Sequence, residues 1–230
     1  MNKGKIHPTE EKQFTDETTG AAVRQVTDHA SIHHHPFFFI PAYDAEMARL
    51  FFVSHRTGSP QIFCEDRESK NLVQLTDRDD IHEWSVYPTR NGKYVLFTAG
   101  SGAWRLNLET LKEEQLVNLG DAPMVDGGMV GVSMGTTALS WDNKWWAVPV
   151  KWGEGYWFYI IDVESGDHEV NLEAEQIGHP QFCPDDDDMI LYIAGMIERV
   201  WVVNRDGSKN ERIYSRNTET NEWITHESWL

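Results

Sequence analysis

The feature that most constrains the fold of this chain is a repeat of about 47 residues. An aromatic or apolar anchor, followed by a short turn and an apolar strand, recurs at Tyr43, Tyr87, Leu139, Phe182 and Trp229. The intervals between successive anchors are 44, 52, 43 and 47 residues. A period in the forties with several short strands per unit is typical of β-propellers, in which each repeat forms one blade around a central channel. The sequence therefore predicts an all-β fold, a β-propeller.

The repeats predict four blades of four strands each. The units span residues 37–77, 84–119, 136–172 and 179–215, and the inner strand of the first is expected at 37–43 (FFFIPAY). Turn sequences such as Arg90-Asn91-Gly92 separate the strands. Residues 1–20 are polar and are predicted to be a flexible N-terminal segment, with residues 21–230 forming a single, incomplete propeller domain.

Two apolar segments fall outside the four units. Residues 22–28 (AVRQVTD) resemble a fourth strand, and residues 222–229 (EWITHESW) resemble a first strand. These orphan strands indicate a piece of a longer propeller that stops inside a fifth repeat. The alternative is a four-bladed ring closed by residues 22–28.

Composition limits the partners. The net charge of −17 and the pI near 4.9 argue against nucleic acid or an anionic membrane, although a small anionic ligand stays open because local cations can override the global field. Cys64 and Cys183 form neither a disulfide framework nor a zinc spacing, which favours a reducing compartment. There is no apolar leader and no run of about 18 apolar residues, so a soluble, cytoplasmic protein is predicted.

Two histidines share one position in successive repeats. His179 lies three residues before the anchor Phe182, and His226 lies three residues before Trp229. Equal register in adjacent blades predicts side chains at similar depth in the channel, where propellers bind ligands. The other interpretation is that each histidine hydrogen-bonds a strand entrance.

The remaining polar motifs favour structural interpretations. In a strand, His33, His34 and His35 would alternate faces, so the run predicts a polar loop rather than a metal site. His82 is similarly ambiguous. Asp185–Asp188 lacks the alternating ligands and glycine of a calcium loop, and residues 125–135 lack a P-loop lysine.

Several segments together resemble the oligogalacturonate lyases of polysaccharide lyase family 22. They are VRQVTD, HHHPFFF, FFVSHRTGSPQIF, HPQFCPD, RVWVVNRDGS and ITHESW, in the same order along the chain. The resemblance runs from about residue 14 to residue 230 and covers about the first three-fifths of such an enzyme. It implies a seven-bladed propeller, a manganese ion in the channel and β-elimination of oligogalacturonides.

The resemblance also implies roles for individual residues. It makes His179 the catalytic base and His226 a manganese ligand, and Arg56, Lys151 and Arg199 are candidates to hold the substrate carboxylate. The family's other metal ligands belong to a later blade, so a single histidine leaves the manganese shell incomplete. Residues 193–200 (IAGMIERV) also lack the family's His-Glu-Gly-Pro segment.

We therefore expect an oligogalacturonate lyase-like protein whose residues 1–230 are weakly active or inactive by themselves. The expected partner is a small acidic oligosaccharide, and a homo-oligomer stays open. The alternative is a non-catalytic, TolB-like propeller that binds a sugar or a protein.

Overall fold

The computed structural model describes residues 2–119, 124–125, 129–130, 135–152 and 155–229. These residues form short strands and one 3-10 helix, Glu83–Ser85. No helix in this part of the chain has the length and apolar composition that crossing a membrane requires. In chain order the strands are β1 (Ile6–His7), β2 (Lys12–Thr15), β3 (Ala22–Gln25), β4 (His33–His34), β5 (Arg49–Ser54), β6 (Gln61–Asp66), β7 (Leu72–Gln74), β8 (Tyr87–Pro88), β9 (Tyr94–Ala99), β10 (Gly102–Asn107), β11 (Glu113–Asn118), β12 (Met124–Val125), β13 (Met129–Val130), β14 (Ala138–Leu139), β15 (Trp145–Trp152), β16 (Gly155–Asp162), β17 (His168–Ala174), β18 (Gly178–Cys183), β19 (Asp186–Ile193), β20 (Val200–Asn204) and β21 (Glu211–Tyr214).

Four antiparallel sheets follow one another along the chain and form the blades. Blade 1 contains β4–β7, blade 2 contains β8–β11, blade 3 contains β14–β17 and blade 4 contains β18–β21. Within each blade, successive strands pair with their neighbours, and the first strand is the inner one of a propeller blade. The prediction of an all-β propeller with about four blades is confirmed.

Apolar side chains between neighbouring blades form the core. In β5, Phe51 and Val53 pack with Val95 and Phe97 of blade 2, whereas Phe52 faces the other side of the sheet. Both faces of the blade are thus covered, which explains why its strands are continuous apolar runs rather than alternating ones. Equivalent clusters join blade 2 to blade 3 and blade 3 to blade 4.

The inner strand of blade 1 differs from the prediction. Instead of one strand over 37–43, β4 pairs with β5 and a separate bridge joins Tyr43 to Leu50. Between them the chain turns back, with the Ile40 N–H donating to the Phe37 carbonyl at 2.7 Å. Pro36 and Pro41 cannot donate to a strand ladder, and Phe37 and Ile40 instead bury their side chains in the cluster between blades 2 and 3. We name residues 36–41 the aromatic turn.

The segments outside the blades also differ from their predicted places. β3 pairs with β2 as a hairpin. Among the described sheets, residues 22–28 therefore neither complete a last blade nor close a four-bladed ring. Residues 222–229 contain no assigned strand, although the Trp229 indole N–H donates to the Gln181 carbonyl of β18 at 3.1 Å.

The N-terminal segment contacts the propeller. β1 pairs with β7 at the outer edge of blade 1, and the Lys3 ammonium lies 2.7 Å from the Glu113 carboxylate of blade 2. The chain before residue 21 is therefore placed on the blades. A domain boundary at residue 20, and the flexibility of residues 1–20, stay predictions.

Removing one aromatic side chain between blades 1 and 2 should show how much the core contributes. Phe97 is completely buried, so Phe97→Ala is expected to lower the free energy of unfolding by about 3–5 kcal/mol. Urea unfolding measures this change. Phe14→Ala is the control, because Phe14 is half exposed and should cost about 0.5 kcal/mol or less. Equal losses for the two variants would contradict the packing described here.

Candidate functional site

His179 and His226 lie at one end of blade 4. His179 is the second residue of β18, where the pairing with β19 shifts register between Gly178 and Gln181. His179 has φ of 46° and His226 has φ of 63°, both in the left-handed region that is uncommon for histidine. Such backbone conformations carry strain and persist only where the surroundings enforce them. The ring centroids are 6.1 Å apart, as the equal register predicted.

The aromatic turn surrounds this histidine pair. Phe37 lies 5.1 Å from the His179 ring and 6.3 Å from the His226 ring, measured between centroids. Phe38 lies 4.5 Å from His226, and Phe39 lies 6.3 Å from His179. The side chains predicted to form part of an inner strand thus form an apolar wall beside the histidines.

His179 is held in its neutral form. It is 8% exposed, and its Nδ1 atom is buried without a hydrogen-bond partner among the described residues. Burial lowers the pKa of His179 to about 4, and the positive charge of Arg199 acts in the same direction. The nearby Glu227 carboxylate opposes this shift without cancelling it. A neutral imidazole has a free lone pair and can accept a proton.

Arg199 and Glu227 form a buried ion pair beside His179. Arg199 Nε donates to Glu227 Oε1 at 2.6 Å, and a second guanidinium nitrogen donates to Oε2 at 3.2 Å. The two side chains are 7% and 10% exposed. Burial is the largest single effect and would by itself raise the pKa of Glu227, but the hydrogen bond and positive charge of Arg199, together with a backbone hydrogen bond, leave the pKa lowered. The pair therefore keeps one positive and one negative charge near His179.

The other two predicted substrate-binding residues have different surroundings. Arg56 follows β5, donates to Glu10 at 2.8 Å and to Thr27 at 2.9 Å, and lies over the Phe63 ring. Lys151 lies near the end of β15 and has no ion pair with a carboxylate in the described ranges. Only Arg199 of the three is brought beside the histidine pair, and all three roles stay predictions.

Besides the histidine pair and the Arg199–Glu227 ion pair, the structure contains a third polar group, which was not predicted from the sequence. His34, His55 and Glu83 place ligand atoms within 4.8 Å of one another. The histidine run suggested only a polar loop, and neither His55 nor Glu83 stood out. One signal in the sequence could have found part of this group. Successive side chains of a strand point to opposite faces, so His34 points to a different face from His33 and His35. His82, in contrast, is buried with its Nδ1 2.8 Å from the Thr98 hydroxyl.

The acidic run in blade 4 makes structural contacts. The Asp187 carboxylate accepts from the Trp141 backbone N–H at 2.6 Å, and an Asp188 oxygen lies 3.6 Å from Arg205 Nε. No described group with three metal-ligating side chains includes this run. The glycine-rich stretch 125–135 lies mostly outside the described residues.

The blades and the buried histidine beside an ion pair define a β-propeller with a polar site at its inner strands. The family model for oligogalacturonate lyase matches residues 1–230. The chain therefore belongs to the oligogalacturonate lyase family.

Solved structures agree on the fold. An oligogalacturonate lyase in complex with manganese has a TM-score of 0.80 and 20% identity, covering 94% of this chain and 62% of that one. The oligogalacturonate lyase of Vibrio parahaemolyticus has a TM-score of 0.80 and 19% identity, and it also covers 94% of this chain and 62% of that one. TolB from Acinetobacter baumannii has a TM-score of 0.61 and 15% identity, and the match covers 92% of this chain and 53% of that one. No curated protein matches. The chain thus spans 62% of the length of each of these two lyases.

Manganese fits the described residues only in part. His226 is the predicted ligand, but no described group of three histidine, cysteine or acidic side chains with converging ligand atoms contains it. Manganese ordinarily takes about six ligands. The role of His226 as a manganese ligand stays a prediction.

The titration of His179 tests its burial. The pKa is about 4 in the folded protein against 6.5 for the ordinary group, so the unfolded chain binds more protons between these values. The His179 contribution to stability is full above about pH 6.5 and is lost as the pH falls towards 4. NMR titration of the ring should give a midpoint near pH 4. Between pH 6.5 and 4, the free energy of unfolding of His179→Gln should fall less than that of the unsubstituted protein. A midpoint near 6.5 would contradict the burial.

The ion pair beside His179 gives a second prediction. Arg199→Met leaves the Glu227 carboxylate buried and unpaired, which should lower the free energy of unfolding by about 3–5 kcal/mol. Arg199→Met combined with Glu227→Met should cost less than Arg199→Met alone. Urea unfolding of the two variants provides the comparison. A double variant less stable than Arg199→Met would contradict the pairing.

Proposed function

We propose that this protein cleaves oligogalacturonides by β-elimination, with His179 as the general base. The observation that carries the proposal is the environment of His179: a buried, neutral imidazole with an unpartnered Nδ1, next to a buried arginine. Family membership supports the reaction class, and the family match includes His179.

The proposed reaction needs a base and a cation. The proton on C5 of a uronide lies next to the carboxylate and is weakly acidic, so its removal places negative charge on that carboxylate. In the proposal His179 accepts the C5 proton, and the electron pair of the C5–H bond forms the C4–C5 double bond. The C4–O bond breaks, and the leaving sugar oxygen keeps its electron pair and takes up a proton from water. A neutral histidine can serve as the base, although a pKa of about 4 makes it a weaker base than one tuned to neutral pH.

Arg199 is the best-placed candidate to stabilise the substrate carboxylate. Its positive charge acts on His179, and its guanidinium is already oriented by Glu227 and by the Gly195 carbonyl at 3.3 Å. A guanidinium has five N–H donors. Two of them go to Glu227, one goes to the Gly195 carbonyl and one points to the Met196 sulfur at 4.0 Å, so one N–H is left for a substrate carboxylate. Lys151 and Arg56 stay second candidates.

Manganese is proposed as the cofactor by analogy with the manganese-bound relative, with His226 as one ligand. No described group of three converging histidine, cysteine or acidic side chains includes His226, so weak or no lyase activity is expected of residues 1–230 by themselves.

The alternative function is non-catalytic binding of a sugar or a protein. The TolB structures share the fold with TM-scores of 0.61 and are the observation that keeps this alternative open. Under this alternative His179 would not matter for function, and aromatic residues such as Trp152 and Trp157 would.

The test uses the full chain that the gene encodes, with short oligogalacturonides as substrates and the ultraviolet absorption of the unsaturated product as the readout. His179→Ala should lower kcat by about 100- to 10,000-fold while leaving the circular dichroism spectrum unchanged. The matched control is His168→Ala, because His168 is an exposed histidine on β17.

Two results would contradict the proposal. Full activity in His179→Ala would place the base elsewhere. An absence of product from the full chain on every uronide tested would favour the non-catalytic alternative.

A further inference from the structure

The histidines and the glutamate of the third polar group converge on one oxygen atom. His34 Nε2 lies 3.2 Å from Glu83 Oε2, and His55 Nε2 lies 2.7 Å from the same oxygen. Metal–ligand bonds of about 2.0–2.2 Å place neighbouring ligand atoms about 3 Å apart. The two nitrogen–oxygen distances are therefore close to those between ligands on one ion, and the two histidine nitrogens lie within 4.8 Å of each other.

The strand register brings the two histidines to one face. His34 pairs with Val53, and the His55 N–H donates to the Ile32 carbonyl at 3.0 Å, so His34 and His55 are diagonal neighbours. Val53 packs in the cluster between blades 1 and 2, which shows that this face looks towards blade 2. Glu83 approaches from there on the 3-10 helix.

The hydrogen bonding of His34 prepares Nε2 as a ligand. Its Nδ1 lies 2.9 Å from the His35 carbonyl, and since a carbonyl only accepts, Nδ1 carries the proton. Nε2 is therefore the ring nitrogen that faces the Glu83 carboxylate, at 3.2 Å, and the one that is available to bind a cation. Metal-binding histidines ordinarily donate their other ring N–H to such a carbonyl.

The orientation of His34 is also fixed. Its ring stacks on Trp84 with centroids 4.2 Å apart and an interplanar angle of 30°. The exposed fractions of His34, His55 and Glu83 are 15%, 25% and 32%, so the group is held by the fold yet open to solvent on one side. Two histidines and one carboxylate with open positions are a known donor set for divalent first-row transition ions.

We propose that His34, His55 and Glu83 bind one divalent first-row transition ion, with open coordination positions for water or a carboxylate oxygen. This site is separate from His226. Phe37 of the aromatic turn contacts the surroundings of both groups, since its ring centroid lies 5.9 Å from that of Trp84 and 5.1 Å from that of His179. The proposal does not depend on the lyase reaction.

Zinc is the probe that tests the proposal. Calorimetric titration of the metal-free protein with Zn²⁺ should include a site that is lost in the ligand variants. Each of His34→Gln, His55→Gln and Glu83→Gln should weaken the affinity of that site at least about tenfold, since even groups supporting a ligand have effects of this size. Substituting Co²⁺ should give the visible absorption of a nitrogen- and oxygen-bound ion.

The matched control is His33→Gln. His33 is next to His34, but its Nε2 lies 3.1 Å from the His29 carbonyl and 3.2 Å from the Ser31 hydroxyl. The control should bind zinc like the unsubstituted protein, and thermal unfolding should show that every variant is folded. Unchanged zinc affinity in folded Glu83→Gln, loss confined to His33→Gln, or no zinc binding at all would overturn the proposal.

Discussion

The arrangement of the candidate site depends on the insertion of Phe37 among the inner strands. This side chain leaves the edge of blade 1, because Pro36 and Pro41 interrupt the strand, and it buries itself in the cluster between blades 2 and 3. There it contacts His179 on blade 4 and Trp84 at the entrance to blade 2. One apolar contact set thus joins the blades, shields His179 from water and supports the ring on which His34 stacks.

Desolvation by this apolar wall shapes the electrostatics of the site. The chain carries a net charge of −17, yet the buried charges near His179 are balanced by the Arg199–Glu227 pair. A low local dielectric strengthens both the repulsion between Arg199 and a protonated His179 and the attraction of Arg199 for an anionic ligand. The repulsion keeps His179 neutral and the attraction favours a bound carboxylate, and the proposed reaction needs both.

Sequence periodicity was sufficient for the fold and for one part of the site. The repeat predicted four blades, and the equal offsets of His179 and His226 from their anchors predicted side chains at a similar depth in the channel. The broken inner strand was missed because the apolar composition of FFFIPAY outweighed the signal of Pro36 and Pro41, and because the burial of Phe37 and Ile40 between blades 2 and 3 is a tertiary effect. The His34–His55–Glu83 group was missed because its members come from strand β4, from the residue after β5 and from the 3-10 helix. Their meeting depends on register between β4 and β5, which composition does not specify.

The central claim is that His179 abstracts the C5 proton of a bound uronide. The most direct test is a crystal structure of the full chain, as His179→Asn, with a short oligogalacturonide bound. The account predicts that C5 of one sugar lies within about 3.5 Å of the side chain at position 179, with the carboxylate of that sugar against a cationic group. A sugar bound away from position 179, on the outer faces of the blades, would contradict it.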